Sequence, residues 1–309
     1  SPDIVVVTRL PDVPVHVEFF NSPDALFKEK SHLVRLAKQT ALTVLNADDK
    51  RVLEMRSHAK GKVVTYGLAE GADIAGSHIK ILYGTAGSRT VPEGVTFHVD
   101  HAGHSVPISI FGVVGIQPVY AALAALAVGV SSEINLVAAG DALAHVTHAP
   151  GRMRLIPGLK ETLLIDDTYN ASPVATQEAL TTLGNIEHTE RKIAVLGDML
   201  ELGKYSAEEH KEIGKRAAGV CDLLVTIGFR ARYIAEGALN AGLHESKILQ
   251  YEDSRKAGEE LKNLIKSGDV ILIKGSQSMR MERTIEELMA EPEKKGELLA
   301  RQEREWLER

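Results

Sequence analysis

The residues best suited to chemistry lie in one short segment, Ile165–Pro173, whose sequence is IDDTYNASP. Two carboxylates, Asp166 and Asp167, end an apolar run, and the amide of Asn170 follows shortly afterwards. Ser172, with proline next to it, is typical of a helix start, because serine caps a first turn and proline fits its first position. A helix start explains only Ser172, so the carboxylates and the amide predict a polar binding loop.

Two cations accompany this segment. Arg152 precedes it in a Pro-Gly-Arg sequence, where a guanidinium could meet a phosphate or form an ion pair with another domain. Lys274 ends a second apolar run and is followed by Ser276. Ligands of parallel sheets bind at the carboxyl ends of the strands, although Asp, Gly and Ser also favour plain turns. Because Lys274 lies among the polar residues at these strand ends, we expect a ligand-binding site at the carboxyl edge of the sheet.

The second half of the chain has the pattern of a doubly wound α/β domain. Five short runs rich in Val, Ile and Leu do not alternate with polar residues, which is typical of strands buried on both faces of a parallel sheet. Helical stretches such as Ala207–Gly219 and Ser254–Lys266 separate them, as crossover connections require. The runs are Thr162–Asp167, Ile193–Asp198, Leu223–Gly228, Lys247–Tyr251 and Val270–Ser276.

The first half is also α/β but less uniform. A small-residue apolar helix is expected over Val119–Val130. With 309 residues the chain is long enough for about two domains. We expect an α/β domain over residues 1–149, the doubly wound domain over 150–290, and a charged, solvent-exposed helical tail over 291–309. The predicted strands of the first half are Ile4–Thr8, Thr43–Leu45 and Val63–Gly67, followed by the antiparallel Ile79–Tyr83, Gly94–Asp100 and Val106–Gly112.

Composition narrows the classes of protein. The chain has 36 Lys and Arg against 42 Asp and Glu, a formal charge of −6, which gives no electrostatic reason to bind nucleic acid. A single cysteine, Cys221, excludes an internal disulfide framework and a cysteine-built zinc site. No apolar run is long enough to span a bilayer and no secretory leader is visible. We therefore expect a cytoplasmic protein without nucleic-acid or membrane partners.

A histidine metal site is a weaker hypothesis. His98, His101 and His104 are spaced by three, which puts neighbours on opposite faces of an extended strand. A turn at Gly103 could still bring two of them together, although the spacing disfavours a shared metal ion.

Three further segments point to a known family. IDDTYNASP is followed by LGDMLELG at Leu196–Gly203 and KGSQSMRMER at Lys274–Arg283, and VLNADD precedes them at Val44–Asp49. In this order and spacing they resemble the Mur ligases, and most of all the branch that adds D-alanyl-D-alanine. The resemblance implies a Mur ligase central domain, partial because its phosphate loop region is lacking, followed by a Rossmann-like doubly wound C-terminal domain.

The implied activity is that of an ATP-dependent amide ligase of peptidoglycan precursor synthesis. ATP would phosphorylate the terminal carboxylate of a UDP-N-acetylmuramoyl-tripeptide, the amine of D-alanyl-D-alanine would attack the acyl phosphate, and phosphate would leave. Such chemistry depends on positioning and on cations that neutralise phosphoryl charge. The resemblance therefore also implies ATP and Mg²⁺ as cofactors, and we expect a monomer.

The resemblance assigns roles to individual residues. His16 and Lys30 match magnesium ligands, Lys30 after carbamoylation, although without the family they would be a loop histidine and a surface lysine. Lys30 and Arg152 are the expected catalytic residues. Arg152, Asp166 and Asp167 match the contacts to ATP phosphate and ribose. The residues expected at the incoming amine are Asn170, Ser172, Lys274 and Ser276.

The chain also departs from the family pattern. The family's phosphate loop ends in Gly-Lys-Ser/Thr, which occurs nowhere in these 309 residues. In the family it precedes the strand matched by Ile4–Thr8, so we expect it before Ser1 and expect no turnover by this chain alone. Gln117, Pro118 and Ala121 stand where the family recognises adenine through asparagines. A degenerate, non-catalytic Mur-type binding module is the alternative, as is another Mur-fold ligase such as a folylpolyglutamate synthase, which the LGDMLELG and DDTYNASP segments disfavour.

Overall fold

The computed structural model describes residues 2–10 and 22–307. The chain forms two compact units. Unit 1 contains Ser1–Leu82, Gly94–Phe111 and Ile116–Val146, and unit 2 contains Tyr83–Glu93, Gly112–Gly115 and Thr147–Arg309. Each sheet has six strands and is mainly parallel, so the predicted α/β class is confirmed.

The sheet of unit 1 keeps its strands in chain order. They are β1 (Ile4–Val7), β2 (Leu42–Asn46), β3 (Lys62–Gly67), β4 (Ile74–Ala86), β5 (Arg89–His101) and β6 (His104–Phe111). β1 to β4 pair in parallel, and β5 pairs with β6 in antiparallel fashion, as the alternating pattern of their sequences predicts.

The helices of unit 1 are α1 (Pro23–Arg35), α2 (Lys50–Glu54), α3 (Ile116–Ser131) and α4 (Leu136–Leu143). Three of them, α1, α2 and α4, begin after residues with capping side chains. The Ser22 hydroxyl accepts a hydrogen bond from the Ala25 N–H at 3.1 Å, and Asn135 caps in the same way. Val5 and Val7 of β1 point into a core that also contains Leu45, because alternate residues of a strand share one face.

The sheet of unit 2 contains all five predicted apolar runs as parallel strands. Its strands are β7 (Arg154–Pro157), β8 (Leu163–Asp167), β9 (Arg191–Gly197), β10 (Leu223–Ile227), β11 (Ile248–Tyr251) and β12 (Asp269–Lys274). Their spatial order is β11-β10-β9-β12-β8-β7, with only β7 antiparallel to its sheet neighbour. The carboxyl ends of β8, β12, β9 and β10 therefore lie at one edge.

Helices cover the strands of unit 2. Ile193 and Val195 of β9 pack in one core cluster with Leu261 and Ile285, which come from two helices. Ala194 and Leu196 are equally buried, and strand alternation directs them to the other face. The helices are α5 (Pro173–Asn185), α6 (Ser206–Ala218), α7 (Arg232–Asn240), α8 (Ser254–Leu264), α9 (Glu282–Leu288), α10 (Lys295–Leu298) and α11 (Arg304–Leu307).

The outer side of β7 is not bare. The Leu155 N–H donates to the Gly112 carbonyl at 2.8 Å, and the Val114 N–H donates to the Met153 carbonyl at 3.1 Å. A short segment distant in sequence thus pairs with β7, which is why residues 112–115 belong to unit 2.

The end of β4, the start of β5 and the turn between them, residues Tyr83–Glu93, also belong to unit 2. The Tyr83 hydroxyl accepts a hydrogen bond from the Glu187 N–H at 2.9 Å, and the Arg89 guanidinium donates to Ser267 at 3.0 Å. Unit 2 is consequently built from three separate stretches of chain.

The solvent-exposed helical tail predicted for residues 291–309 is wrong in part. Its described residues form only short helices, and two of its side chains, Leu299 and Arg301, are 3% and 5% exposed. The charge pattern failed here because an arginine can be buried when a buried carboxylate pairs with it. Within residues 2–10 and 22–307, no helix has the length and apolar character that crossing a membrane requires.

Candidate functional site

The candidate site lies at the carboxyl end of β8. That strand ends at Asp167, and α5 begins at Pro173 after a turn with two exposed side chains, Tyr169 and Asn170. Ser172 is the N-cap residue in extended conformation, so the predicted helix start is confirmed. Among the described residues its hydroxyl caps no backbone N–H, and the first turn of α5 keeps its positive dipole end.

Asp166 faces inward and is fully buried. Its carboxylate accepts hydrogen bonds from the Gly151 N–H at 2.9 Å, the Thr168 N–H at 3.1 Å and the Thr168 hydroxyl at 2.6 Å. Burial nevertheless raises the pKa of Asp166 to about 6, and these three donors oppose that rise. The structure therefore places Asp166 where it fixes two loops, out of reach of a ligand.

Asp167 forms a buried ion pair with Lys274. The two residues are register partners on β8 and β12, and Lys274 Nζ lies 2.5 Å from Asp167 Oδ2. The same ammonium donates to the Asn170 carbonyl at 2.9 Å, and the Lys274 side chain is 3% exposed. Lys274 thus joins the end of its strand to the turn after β8.

The Gly151–Arg152 segment lies against this turn. Gly151 has φ of +72°, and a Cβ there would lie 2.8 Å from the Tyr169 nitrogen, so glycine is required. The Tyr169 N–H donates to the Gly151 carbonyl at 3.1 Å. The exposed Arg152 places its Cζ 4.2 Å from the centre of the Tyr169 ring, a cation–π contact.

The loop after β9 is joined to the loop after β12. Ser276 is 4% exposed, its hydroxyl accepts from the Leu200 N–H at 2.8 Å, and its own N–H donates to the Asp198 carbonyl at 2.9 Å. The Asp198 carboxylate accepts from the Ala231 N–H at 2.7 Å, after β10. Asp198 and Ser276 therefore tie three neighbouring strand ends together.

A buried histidine holds the loop after β9. The Met199 N–H donates to Nε2 of His210 at 3.0 Å, and Nδ1 lies 2.6 Å from the Ser206 carbonyl, to which it donates. Both ring nitrogens are used by a neutral imidazole, and burial lowers the pKa of His210. Sequence analysis missed this residue, because a lone histidine in a helical segment carries no distinctive signal.

A second missed residue is Arg301. Its guanidinium donates to the Thr168 carbonyl at 3.2 Å and also to the Tyr169 carbonyl. It reaches the turn after β8 from the far end of the chain. No spacing rule links residues so distant in sequence.

The structure thus brings Arg152, Asp167, Asn170 and Lys274 to one turn of unit 2, with Ser172 at the adjoining helix start. An exposed guanidinium, an exposed aromatic ring and a helix N-terminus side by side suit a ligand that carries an anion. Asp166 and Ser276 are buried supports of this arrangement. The residues predicted from the sequence for this loop are therefore neighbours. The exposed ones could contact a ligand, whereas the buried ones hold the loop in place.

In unit 1, the VLNADD segment ends β2 and organises the neighbouring strand ends. The Asp48 carboxylate accepts from the Leu68 N–H at 2.6 Å and the Tyr120 hydroxyl at 2.8 Å. Asp49 caps α2 and accepts from the Leu10 N–H at 2.7 Å. Nearby on α3, Gln117 and Pro118 are half-buried and Ala121 is exposed.

Of the two predicted magnesium ligands, only Lys30 lies among the described residues. Lys30 is an exposed residue of α1, and His16 lies outside the described residues. Within those residues, no three His, Cys, Asp or Glu side chains could hold a metal ion together. His101 and His104 do pair across the turn at Gly103, whereas His98 lies against another histidine, so the described histidines form no metal site.

Family comparison agrees with this architecture. Residues 1–129 match the Mur ligase middle domain, and residues 151–277 match the Mur ligase glutamate ligase domain. The chain belongs to the Mur ligase family, as the motifs predicted.

Within that family, two similar curated proteins carry the same name. The chain is 27% identical to a Bacillus subtilis protein and 29% identical to an Escherichia coli protein, each named UDP-N-acetylmuramoyl-tripeptide–D-alanyl-D-alanine ligase. These matches cover 94% and 93% of this chain and 60% of each relative. The chain therefore spans about three fifths of the curated relatives it matches.

Solved structures give the same result. MurF from Acinetobacter baumannii superposes with a TM-score of 0.75 at 25% identity, covering 92% of this chain and 59% of that one. MurF from Thermotoga maritima in complex with ADP superposes with a TM-score of 0.74 at 26% identity, covering 95% and 63%. The predicted fold, a Mur ligase middle domain followed by a doubly wound C-terminal domain, is confirmed.

Proposed function

We propose that this chain is the middle and C-terminal part of an ATP-dependent amide ligase that adds D-alanyl-D-alanine to a UDP-N-acetylmuramoyl-tripeptide. The γ-phosphoryl group of ATP passes to the terminal carboxylate of the tripeptide, and ADP leaves. The dipeptide amine then attacks the acyl carbon, loses a proton as the amide forms, and expels phosphate. The names of the relatives support this substrate pair.

The observation that carries the proposal is the exposed position of Arg152, whose guanidinium stacks on the Tyr169 ring. Gly151 lets the backbone approach the turn after β8, and the Tyr169 ring holds the guanidinium in an exposed position. A guanidinium matches phosphate geometry through paired donors. Arg152 is therefore proposed as the phosphate contact of this unit, next to the positive end of α5.

The other loop residues take different parts in the proposal. Asn170 is exposed and available to a substrate, and Ser172 adjoins it. Lys274 and Asp167 neutralise each other in this structure, so they act by holding the turn. Asp166 acts through Gly151, to which it is hydrogen-bonded.

ATP would need more than these residues. The sequence contains no Gly-Lys-Ser/Thr loop, so the proposal requires a phosphate cradle outside the 309 residues. An in-frame Gly-Lys-Ser/Thr sequence in the gene upstream of Ser1 is the expected finding. Magnesium remains the predicted metal, but the described residues include no group of three His, Cys, Asp or Glu side chains that could hold it.

A non-catalytic Mur-type binding module is the second candidate. It is favoured by Gln117, Pro118 and Ala121, which stand at the positions expected to recognise adenine. Both candidates would use the Arg152 guanidinium stacked on Tyr169, but only the ligase would turn over ATP. Phosphate release that requires the tripeptide precursor, ATP and D-alanyl-D-alanine, measured on the protein encoded by the whole gene, separates them. A folded whole protein without turnover contradicts the ligase.

The site assignment can be tested on the chain itself by calorimetric titration with ADP. We expect wild type to bind ADP and Arg152→Ala to bind at least about tenfold more weakly, because one charge-assisted phosphate contact is lost. Arg232→Ala is the matched control, since Arg232 is an exposed arginine of the same unit that forms an ion pair with the exposed Glu252 and a cation–π contact with the exposed Phe229. Equal affinity in Arg152→Ala and wild type, or no binding by folded wild type, contradicts the assignment.

A further inference from the structure

Residues that follow the matched glutamate ligase domain contact the candidate site. The glutamate ligase domain match ends at residue 277, whereas Arg301 lies against the turn after β8. Arg301 is 5% exposed and has φ of +60°, a left-handed conformation that is unfavourable for a residue with a side chain. Because the local backbone disfavours this conformation, long-range contacts must hold it.

Those contacts lie on the main chain of the turn. Arg301 Nη1 donates to the Thr168 carbonyl at 3.2 Å, and Nη2 donates to the Tyr169 carbonyl. Its Cζ lies 5.4 Å from the centre of the Tyr169 ring. Arg301 thus contacts Tyr169, the same residue whose ring stacks against the Arg152 guanidinium.

A buried carboxylate anchors the guanidinium. Glu282 is 1% exposed, and its Oε2 accepts from Arg301 Nη1 at 3.1 Å. Its Oε1 accepts from Arg280 Nε at 2.5 Å. Arg280 in turn donates to the Trp306 carbonyl at 2.7 Å and also has left-handed backbone, with φ of +52°. We call Arg280, Glu282 and Arg301 the arginine cluster.

Stability alone does not explain the arginine cluster. Two guanidiniums share one carboxylate, and among the described residues Arg301 Nε is buried without a hydrogen-bond partner. Buried ion pairs often contribute no more than apolar residues of similar volume, because desolvation offsets attraction. A geometric role at the turn accounts for groups that packing alone would not require.

We propose that Arg301 is a positioning residue of the nucleotide site: by holding the Thr168 and Tyr169 carbonyls, it fixes the Tyr169 ring on which Arg152 is seated. The inference rests on the proposed function for the identity of the ligand. Its geometric part, the immobilisation of the turn, can be measured without any ligand.

The first test measures amide hydrogen exchange in the full chain. We expect Arg301→Met to raise the exchange rate at the Tyr169 N–H at least about tenfold relative to the core amides of β9, since two carbonyl contacts of the turn are lost. Arg301→Lys, which keeps a donor but not the planar fork, should give a smaller rise. Arg232→Met removes an exposed guanidinium elsewhere and should change neither rate.

The outcomes decide the geometric part. A purely structural role would raise exchange at Tyr169 and in β9 by the same factor, and unchanged exchange at Tyr169 in folded Arg301→Met would equally overturn the proposal. If Arg301→Met does not fold, Arg301→Lys carries the comparison. The fluorescence of Trp306, the single tryptophan, reports whether the segment stays docked, because Arg280 and Arg301 lie 5.5 and 5.7 Å from its ring centre.

The second test adds ADP as the probe. We expect Arg301→Met to weaken ADP binding about tenfold and Arg232→Met to leave it unchanged. Full ADP affinity in Arg301→Met despite faster exchange at Tyr169 would overturn the positioning role. Failure of wild type itself to bind ADP would instead overturn the proposed nucleotide site, and the exchange result would still decide whether Arg301 immobilises the turn.

Discussion

Asp166 and His210 show how single buried residues support the candidate site without touching a ligand. Each uses its side chain to satisfy backbone N–H groups of a loop at a strand end, Asp166 for Gly151 and Thr168, His210 for Met199. Burial favours the neutral form of both, so it raises the pKa of the acid and lowers the pKa of the imidazole. Their charge states therefore couple loop geometry to pH.

Asp166 gives a prediction for stability against pH. Its pKa is about 6 in the folded chain against an ordinary 3.8, so its contribution is fully present below pH 3.8 and is lost as pH rises through 6. The difference corresponds to about 3 kcal/mol. We expect the unfolding free energy of wild type to fall by about that amount relative to Asp166→Asn between about pH 3 and pH 7. Urea unfolding at several pH values measures this, and parallel curves for the two proteins would contradict it.

At the scale of elements, the register of β8 and β12 determines what the strand ends can do. Asp167 and Lys274 are paired residues in that register, so two chemically active side chains meet and are buried together. The neighbouring turn gains a hydrogen bond from the same ammonium. The sheet itself therefore fixes where the exposed residues Tyr169 and Asn170 stand.

This pairing predicts a non-additive pair of substitutions. Lys274→Met leaves the Asp167 carboxylate buried without its cation, and we expect a loss of about 3–5 kcal/mol in unfolding free energy. Adding Asp167→Leu removes the unpaired charge, so the double variant should be more stable than Lys274→Met alone. Urea unfolding of the four proteins provides the cycle. A double variant as unstable as the sum of the single losses would show that the two groups do not interact.

Strand ends are also where sequence prediction succeeded and failed. Continuous apolar runs closed by polar clusters located all five parallel strands, because burial on both faces leaves that pattern. The same pattern could not tell that Asp166 turns inward, since neighbouring strand residues face opposite ways and the sequence does not mark which side is closed. Arg301 was missed because charge density predicts solvent exposure, and only the folded chain brings Glu282 to it.

At the scale of the whole molecule, the 309 residues include the proposed phosphate contact Arg152 but no Gly-Lys-Ser/Thr sequence. We expect no ATP turnover by this chain alone, because its sequence has no Gly-Lys-Ser/Thr loop to supply a row of backbone N–H groups and a lysine for the phosphates. Phosphate release in the presence of ATP, tripeptide precursor and D-alanyl-D-alanine measures it, with a whole Mur ligase as the positive control. Turnover that survives both Lys30→Ala and Asp167→Ala would contradict the residue assignments as well.

The pairing of residues 112–115 with β7 has a practical consequence for dissecting the protein. A gene fragment that starts at residue 147 would encode every helix of unit 2 but would omit the Gly112 and Val114 partners of β7. β7 would then be an exposed edge strand with unpaired backbone N–H and C=O groups, which favours pairing between molecules and aggregation. We therefore expect a fragment starting at residue 147 to stay soluble only if residues 112–115 are also supplied to pair with β7.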